Sequence, residues 1–144
     1  MIRKLNILLV EDSEADVKIA VRAFEKASII NNLSIVTEGE EAFNYLLRVG
    51  KYRDEKAYPL VNIILLDLNL PRMNGLEIIK KLKGDTNLKL IPVVILSSSR
   101  NEQDIKESYR LGASGYIHKP VNYSDFIKVV DIFNSYWNLI INLP

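Results

Sequence analysis

Acidic, hydroxyl and lysine side chains directly follow four apolar segments of this 144-residue sequence. Glu11-Asp12 follows the first apolar segment, Asp67 the third, Ser97 the fourth and Lys119 the fifth. If these segments are parallel strands, their polar ends meet at the carboxyl edge of one sheet, which is where open α/β sheets bind ligands. The spacing therefore predicts one polar site at that edge.

The three acids predict a site for a hard divalent cation. Carboxylates that lie close together repel one another and cannot all stay ionised cheaply without a cation. A divalent ion and the Lys119 ammonium would together balance Glu11, Asp12 and Asp67. Carboxylate oxygens favour Mg²⁺, or Mn²⁺, over zinc or copper.

A magnesium ion beside a strand-end carboxylate indicates phosphoryl transfer. Mg²⁺ usually binds one or two carboxylates together with phosphate oxygens. A carboxylate such as Asp67 can act as the nucleophile and form an aspartyl phosphate. Lys119 would place a positive charge on the phosphoryl oxygens, and the Ser97 hydroxyl could donate a hydrogen bond to one of them. These residue types fit a reaction that depends on positioning and charge neutralisation.

Each of these positions also has an ordinary structural explanation. Acids after a strand can complement the dipole of the next helix, and Asp67 can be a turn residue. Ser97 opens a serine run that is typical of a polar loop, and Lys119-Pro120 can end a strand at a rigid turn. His118 should point away from the lysine because strand side chains alternate, so we assign it no role. The joint placement of the set at one edge favours the functional interpretation.

The chain alternates between strand-like and helical patterns. Apolar residues from Val17 to Ala27 recur at helical spacing, and Ser13 with Asp16 resembles a capping box at the start of this helix. The predicted strands are Asn6–Val10, Leu33–Thr37, Val61–Leu66, Val93–Leu96 and Tyr116–His118. The predicted helices are Ser13–Ala27, Glu40–Val49, Met73–Lys83, Asn101–Leu111 and a last helix from Asn122, with a polar loop at Gly50–Pro59.

This (βα)₅ order predicts an α/β fold. The strands are continuous apolar runs, which is typical of parallel strands covered by helices on both faces. Right-handed crossovers then favour a doubly wound sheet. The length suits one domain of roughly 100–200 residues, and we expect residues 1–144 to form a single domain with an extended final helix.

The composition argues against several classes of partner and cofactor. Nineteen Lys and Arg against eighteen Asp and Glu give a net charge of +1, which offers no electrostatic case for binding nucleic acid or an anionic membrane. The absence of cysteine excludes disulfides and cysteine-ligated metals. The sequence shows neither a signal-peptide pattern nor the roughly 18 apolar residues of a membrane span. We therefore expect a cytoplasmic protein that binds no nucleic acid and no membrane.

Four segments resemble a known family. They are Leu9–Ser13 (LVEDS), Leu65–Gly75 (LLDLNLPRMNG), Pro92–Ser97 (PVVILS) and Gly112–Pro120 (GASGYIHKP). With these motifs the chain resembles the receiver domain of two-component response regulators. The run DSEAD at Asp12–Asp16, with Tyr136-Trp137, resembles the stand-alone regulators that phytochrome-type histidine kinases serve. The resemblance implies the flavodoxin-like, CheY-like three-layer fold with strand order 2-1-3-4-5.

The resemblance also implies how the acids divide their roles. Asp67 would accept the phosphoryl group from a histidine of the kinase. Asp12 and Asp67, together with the backbone carbonyl of Asn69, would bind Mg²⁺ directly, and Glu11 would act through water. The protein would be a phosphoacceptor that catalyses its own phosphoryl transfer and slow dephosphorylation, not an enzyme acting on other substrates.

Lys119, Ser97 and Tyr116 would respond to the phosphoryl group. The resemblance implies that Lys119 binds it and that the peptide bond between Lys119 and Pro120 is cis. Ser97 and Tyr116 match the family's switch pair, in which the hydroxyl moves toward the phosphoryl group and the aromatic ring turns inward.

Three other classes of protein share part of this pattern. A magnesium-dependent phosphatase of the haloacid-dehalogenase type also uses a strand-end aspartate, but it needs a second aspartate where this chain has Asn69. A flavodoxin-like cofactor domain would need a glycine- or hydroxyl-rich phosphate loop in place of Glu11-Asp12. A phosphate-independent pseudo-receiver usually lacks some site residues, and all are present here.

The final helix has two apolar faces. One face, which should cover the sheet, comprises Phe126, Val129, Val130, Phe133, Trp137 and Ile140. The other comprises Ile132, Tyr136, Leu139 and Leu143. This second face could pack on the fourth helix or the C-terminal tail, but exposed apolar faces often mark interfaces. We expect a homodimer through this helix and the neighbouring edge of strand five.

Overall fold

The computed structural model describes residues 4–26, 31–119 and 122–141, and for residues 133, 134 and 136–141 it describes the backbone alone. Strands and helices alternate along these ranges. The strands are β1 (Leu5–Val10), β2 (Asn31–Val36), β3 (Ile63–Leu66), β4 (Val93–Ser97) and β5 (Gly115–His118). The helices are α1 (Glu14–Lys26), α2 (Gly39–Leu46), α3 (Gly75–Gly84), α4 (Glu102–Arg110) and α5 (Tyr123–Ile141), with short 3₁₀ helices at Gly50–Arg53 and Leu88–Leu90.

The five strands form one parallel sheet in the order β2-β1-β3-β4-β5. The predicted fold class and strand order are therefore confirmed. None of the described helices is both long and apolar enough to cross a membrane.

Apolar side chains fill both faces of the sheet, so the protein has three layers. On one face, the side chains of β1, β3 and β4 pack against Ala20 and Phe24 of α1 and Phe126 and Val130 of α5. On the other face, the alternate side chains of the same strands pack against α2 and α3, including Ile78, Ile79 and Leu82. Burial on both faces explains why these strands have no alternating polar residues.

Helix α2 ends at Leu46, earlier than the predicted Val49. The Val49 N–H donates to the Asn44 carbonyl at 2.9 Å, and the Arg48 N–H donates to the Tyr45 carbonyl at 3.1 Å. This is a Schellman motif, whose left-handed position is usually glycine. Here Arg48 takes that position with φ 58°, and its guanidinium donates to the Tyr58 carbonyl at 2.6 Å. The helix end lacks its usual glycine, which is why the sequence pattern missed it.

The predicted polar loop at Gly50–Pro59 carries an aromatic cluster. Tyr52 is buried and its ring centroid lies 5.0 Å from that of Tyr45 and 4.8 Å from that of Tyr58. The Tyr52 hydroxyl donates to the Glu41 carboxylate. The segment predicted as a polar loop thus begins with a 3₁₀ helix, and its Tyr52 and Tyr58 anchor it on Tyr45 of α2.

The first turns of α5 agree with the predicted sheet-facing side at Phe126 and Val130, whereas Val129, predicted for the same side, is only half-buried. Phe126 and Val130 are buried against the sheet, whereas Ile132 is 71% exposed. The side chains predicted for the second face at Tyr136, Leu139 and Leu143 lie outside the described part of the chain. Pro120, predicted to follow a cis peptide bond, also lies outside it.

Candidate functional site

The strand register places the predicted site residues side by side. Val10 of β1 pairs with Leu66 of β3, so Glu11 and Asp67 directly follow register partners. The Asp67 N–H continues the ladder by donating to the Val10 carbonyl at 3.1 Å. At the other side of the site, the Lys119 N–H donates to the Ser97 carbonyl at 2.9 Å.

Three carboxylates form a cluster at this edge. One carboxylate oxygen from each of Glu11, Asp12 and Asp67 lies within 4.8 Å of the others. Glu11 is 1% exposed and Asp67 7% exposed, whereas Asp12 is exposed. The cluster therefore has a buried side and a side that solutes can reach.

Lys119 joins this cluster through ion pairs. Its Nζ donates to Glu11 Oε1, to Asp67 Oδ2 at 3.0 Å and to Asp16 Oδ2 at 2.9 Å. The lysine side chain is only 10% exposed. The predicted convergence of the acids and the lysine on one edge is present in the structure.

Asp16 is a further carboxylate partner of Lys119, and the sequence pattern did not single it out. The pattern assigned it to a capping box with Ser13. Its N–H does donate to Ser13 Oγ at 3.3 Å, but its carboxylate accepts from Lys119 instead of turning back to the helix start. The signal that could have found it is its position in the first turn of α1, directly after the strand that delivers Glu11-Asp12.

Burial and ion pairing shift the pKa values of two groups in the site. Burial and the neighbouring Asp67 carboxyl raise the pKa of Glu11 to about 7, although Lys119 opposes this shift. Burial lowers the pKa of Lys119, but its hydrogen bonds to Asp16 and Glu11 and the charge of Asp67 raise it by more, so the net pKa lies above the ordinary lysine value. The lysine is therefore charged, and the carboxylates outnumber it.

Both oxygens of Asp67 have partners. Oδ2 accepts from Lys119, and Oδ1 accepts from the Asn69 N–H at 3.0 Å. Gly75 allows α3 to start against this turn, because a Cβ there would lie 2.6 Å from the Asp67 carbonyl oxygen. The Asn74 side chain caps α3 by accepting from the Glu77 N–H at 3.0 Å. The segment from Leu68 to Gly75 (LNLPRMNG) therefore holds the backbone of Asp67 in place.

Ser97 and Tyr116 are linked through the β4–α4 loop. Ser97 is fully buried, and its Oγ accepts from the Ser99 N–H at 3.1 Å. The half-buried Tyr116 packs against the α2–α3 face of the core, and its hydroxyl donates to the Ser99 carbonyl at 2.8 Å. His118 is exposed, as its position in the strand predicts.

The residues present fit a hard divalent cation. All three clustered side chains offer carboxylate oxygens, the ligands that Mg²⁺ and Mn²⁺ prefer. Lys119 supplies one positive charge beside these three carboxylates, so a divalent cation would complete the charge balance of the cluster.

Comparisons with known proteins identify the family of this chain. Residues 7–131 match the response regulator receiver domain family. The chain is 39% identical to the response regulator Rcp1 of Synechocystis sp. (strain ATCC 27184 / PCC 6803 / Kazusa) over 138 residues, which is 96% of this chain and 92% of Rcp1.

Solved structures show the same likeness. The crystal structure of the phosphorylated cyanobacterial phytochrome response regulator RcpA superposes with a TM-score of 0.84 at 38% identity, covering 94% of each chain. The Mn²⁺-bound form of Rcp1 has a TM-score of 0.83 at 38% identity, covering 97% of this chain and 99% of that one. Family match, sequence identity and fold agree over nearly the whole chain, which therefore belongs to the response regulator receiver domain family and is a response regulator of two-component signalling.

Proposed function

We propose that this response regulator accepts a phosphoryl group on Asp67 from a histidine kinase, in a Mg²⁺-dependent reaction. The observation that carries the proposal is that the buried Asp67 belongs to the carboxylate cluster and also contacts Lys119. The phosphorylated form of RcpA is a solved structure, and this chain resembles that protein over most of its length.

The proposed step is a displacement at phosphorus. An Asp67 carboxylate oxygen attacks the phosphorus of a phosphohistidine. The O–P bond forms as the P–N bond breaks, and the imidazole nitrogen keeps the bonding electron pair. Asp67 is held for this reaction by hydrogen bonds to each of its oxygens. Lys119 then binds a phosphoryl oxygen and offsets the added negative charge.

Asp12, Asp67 and the carbonyl of Asn69 would bind the metal ion directly, and Glu11 would act through water. A bound Mg²⁺ or Mn²⁺ supplies positive charge that neutralises the phosphoryl oxygens. The exposed Asp12 can reach an ion that arrives from solvent, whereas the buried Glu11 carboxylate is engaged by Lys119.

The proposed response of the protein passes through Ser97 and Tyr116. The Ser97 hydroxyl would leave the Ser99 N–H and donate to a phosphoryl oxygen. The carbonyl of the same Ser99 accepts from the Tyr116 hydroxyl. This change would therefore alter the β4–α4 loop and the contacts of the tyrosine ring. The signal would then leave through protein contacts.

The proposed partner is a phytochrome-type histidine kinase. This assignment follows from the resemblance to Rcp1 and to RcpA, which is a phytochrome response regulator. We further propose that residues 1–144 form one domain, and that the protein is cytoplasmic and binds no nucleic acid and no membrane.

Incubation with acetyl phosphate tests the function and its main alternative together. We expect stoichiometric, hydroxylamine-labile phosphorylation that requires Mg²⁺. A haloacid-dehalogenase-type phosphatase would instead release phosphate over many turnovers, for which it needs a general acid where this chain has Asn69. Sustained rapid turnover without accumulation of phosphoprotein would favour the phosphatase.

Asp12→Ala is expected to weaken Mg²⁺ binding about 100-fold, and Glu11→Ala only about tenfold, because Asp12 would bind the ion directly and Glu11 through water. Calorimetric titration with Mg²⁺ measures both, and Glu14→Gln, an exposed acid of α1, controls for the change in net charge. Equal losses for Asp12→Ala and Glu11→Ala would contradict this division of roles.

We also propose a homodimer through α5 and the β5 edge, which phosphorylation of Asp67 tightens. The exposed Ile132 supports the part of this face that the structure describes. Sedimentation equilibrium should show that Ile132→Glu and Leu139→Glu each weaken self-association at least about tenfold, since burying an unpaired charge is costly. A wild-type protein that stays monomeric at high micromolar concentration, with and without beryllofluoride, would disprove the dimer.

A further inference from the structure

Lys119 has a carboxylate partner outside the proposed metal and phosphoryl site. Asp16 Oδ2 accepts from Lys119 Nζ at 2.9 Å, a contact as short as the one between Lys119 and Asp67. Asp16 belongs to the first turn of α1 and is not part of the carboxylate cluster of Glu11, Asp12 and Asp67.

The ammonium group has no hydrogen-bond donor to spare. Lysine has three N–H donors, and Glu11, Asp16 and Asp67 accept from Lys119 in the structure. To bind a phosphoryl oxygen, Lys119 must therefore release or loosen one of these carboxylates. The Asp16 side chain is 40% exposed, whereas those of Glu11 and Asp67 are 2% and 9% exposed. Asp16 can regain water most easily and is the partner to release.

We propose that Asp16 is a positioning residue that holds Lys119 in the unphosphorylated protein and competes with the phosphoryl group for it. This inference depends on the proposed function, because it concerns the same phosphoryl site. Asp16 disfavours the phosphorylated state in two ways: it occupies a donor of Lys119, and its negative charge repels the phosphoryl oxygens.

The surroundings of Asp16 allow the exchange. The Asp16 N–H is held by Ser13 Oγ and the Val17 N–H by the Ser13 carbonyl, so the start of α1 has its own cap when the ion pair opens. A cavity of about 20 Å³ lies beside Asp16 and Lys119, enough for about one water molecule. Loss of the pair would carry the phosphorylation signal to the first turn of α1.

The affinity for beryllofluoride, an analogue of the phosphoryl group, tests this role. Asp16→Asn should bind it about fivefold more tightly in the presence of Mg²⁺, the size expected for a partly exposed ion pair. Fluorine NMR titration measures the affinity. Glu14→Gln removes an exposed charge from the same turn and should bind as the wild type does, and Asp16→Glu should restore affinity toward the wild-type value.

Hydrogen exchange provides a readout that a merely structural role would not change. In the wild type, beryllofluoride should accelerate amide exchange across residues 16–20, because Lys119 leaves Asp16. In Asp16→Ala, whose side chain has no oxygen to accept from Lys119, these amides should exchange at similar rates with and without the analogue.

Unchanged or weaker binding of beryllofluoride by Asp16→Asn would overturn the proposed competition. Weaker binding would mean that Asp16 orients Lys119 for the phosphoryl group. A wild type that takes up no phosphoryl group from acetyl phosphate would overturn the proposed function itself. A wild type that is phosphorylated while Asp16→Asn binds normally would remove only the role of Asp16.

Discussion

Replacing Asp67 by asparagine is expected to abolish phosphorylation and leave the fold intact. Asparagine has nearly the same shape, and its single carbonyl oxygen can keep one of the two hydrogen bonds that the Asp67 oxygens accept from Lys119 and from the Asn69 N–H. It lacks the carboxylate nucleophile, so incorporation should fall by at least about 100-fold, as is typical when a nucleophile is removed. Radiolabelled acetyl phosphate with Mg²⁺ measures the incorporation, and circular dichroism checks the fold.

Asp54→Asn is the matched control for this variant. Asp54 lies in the segment after α2, where it accepts from the Lys56 N–H at 3.0 Å, and its replacement changes the net charge equally. It should be phosphorylated as the wild type is. A hydroxylamine-labile phosphoprotein formed to the same extent by Asp67→Asn would show that the phosphoacceptor has been misassigned.

Removing Lys119 is expected to have the second large effect, on both stability and response. Lys119→Ala leaves Glu11, Asp16 and Asp67 without their shared counter-ion, and the first and last of these are buried. Breaking a buried ion pair from one side typically costs about 3–5 kcal/mol, so the free energy of unfolding at neutral pH without metal should fall by about 3 kcal/mol. Urea unfolding measures this change, and Mg²⁺ should stabilise the variant more than it stabilises the wild type.

Lys119→Ala should still accept a phosphoryl group but should not respond to it. Without the ammonium, β5 loses its charged contact with the phosphoryl group. Hydrogen exchange across residues 97–116 should therefore not change when beryllofluoride binds. Lys18→Ala, which removes an exposed lysine of α1, should keep the wild-type stability and response. A full wild-type response in Lys119→Ala would refute the coupling.

The fold was predictable because its signals are local and agree with one another. Continuous apolar runs gave the buried parallel strands, and Gly112, with φ 111°, ends α4 where the pattern placed the stop. The end of α2 was not predictable in this way. Its left-handed residue is Arg48, which contacts Tyr58 across the following segment, and a tertiary contact of this kind leaves no mark in a local pattern.

The site was predictable where it depends on strand ends and not where it depends on helix orientation. Glu11, Asp67 and Lys119 follow strands whose carboxyl ends must meet, so their convergence follows from topology. Asp16 comes from a helix, and its acceptance of Lys119 depends on how α1 packs on the sheet. The tyrosine cluster around Tyr52 was missed for a similar reason, because its residues come from separate segments.

The central claim is that Asp67 receives the phosphoryl group, and mapping the modified residue in the wild type tests it most directly. The protein is treated with acetyl phosphate and Mg²⁺, reduced with borohydride to trap the acyl phosphate as homoserine, digested and analysed by mass spectrometry. We predict that the converted residue is position 67 and that omitting the divalent ion prevents the conversion. A phosphoryl group on Ser97 or His118, or metal-independent labelling spread over several carboxylates, would contradict the account.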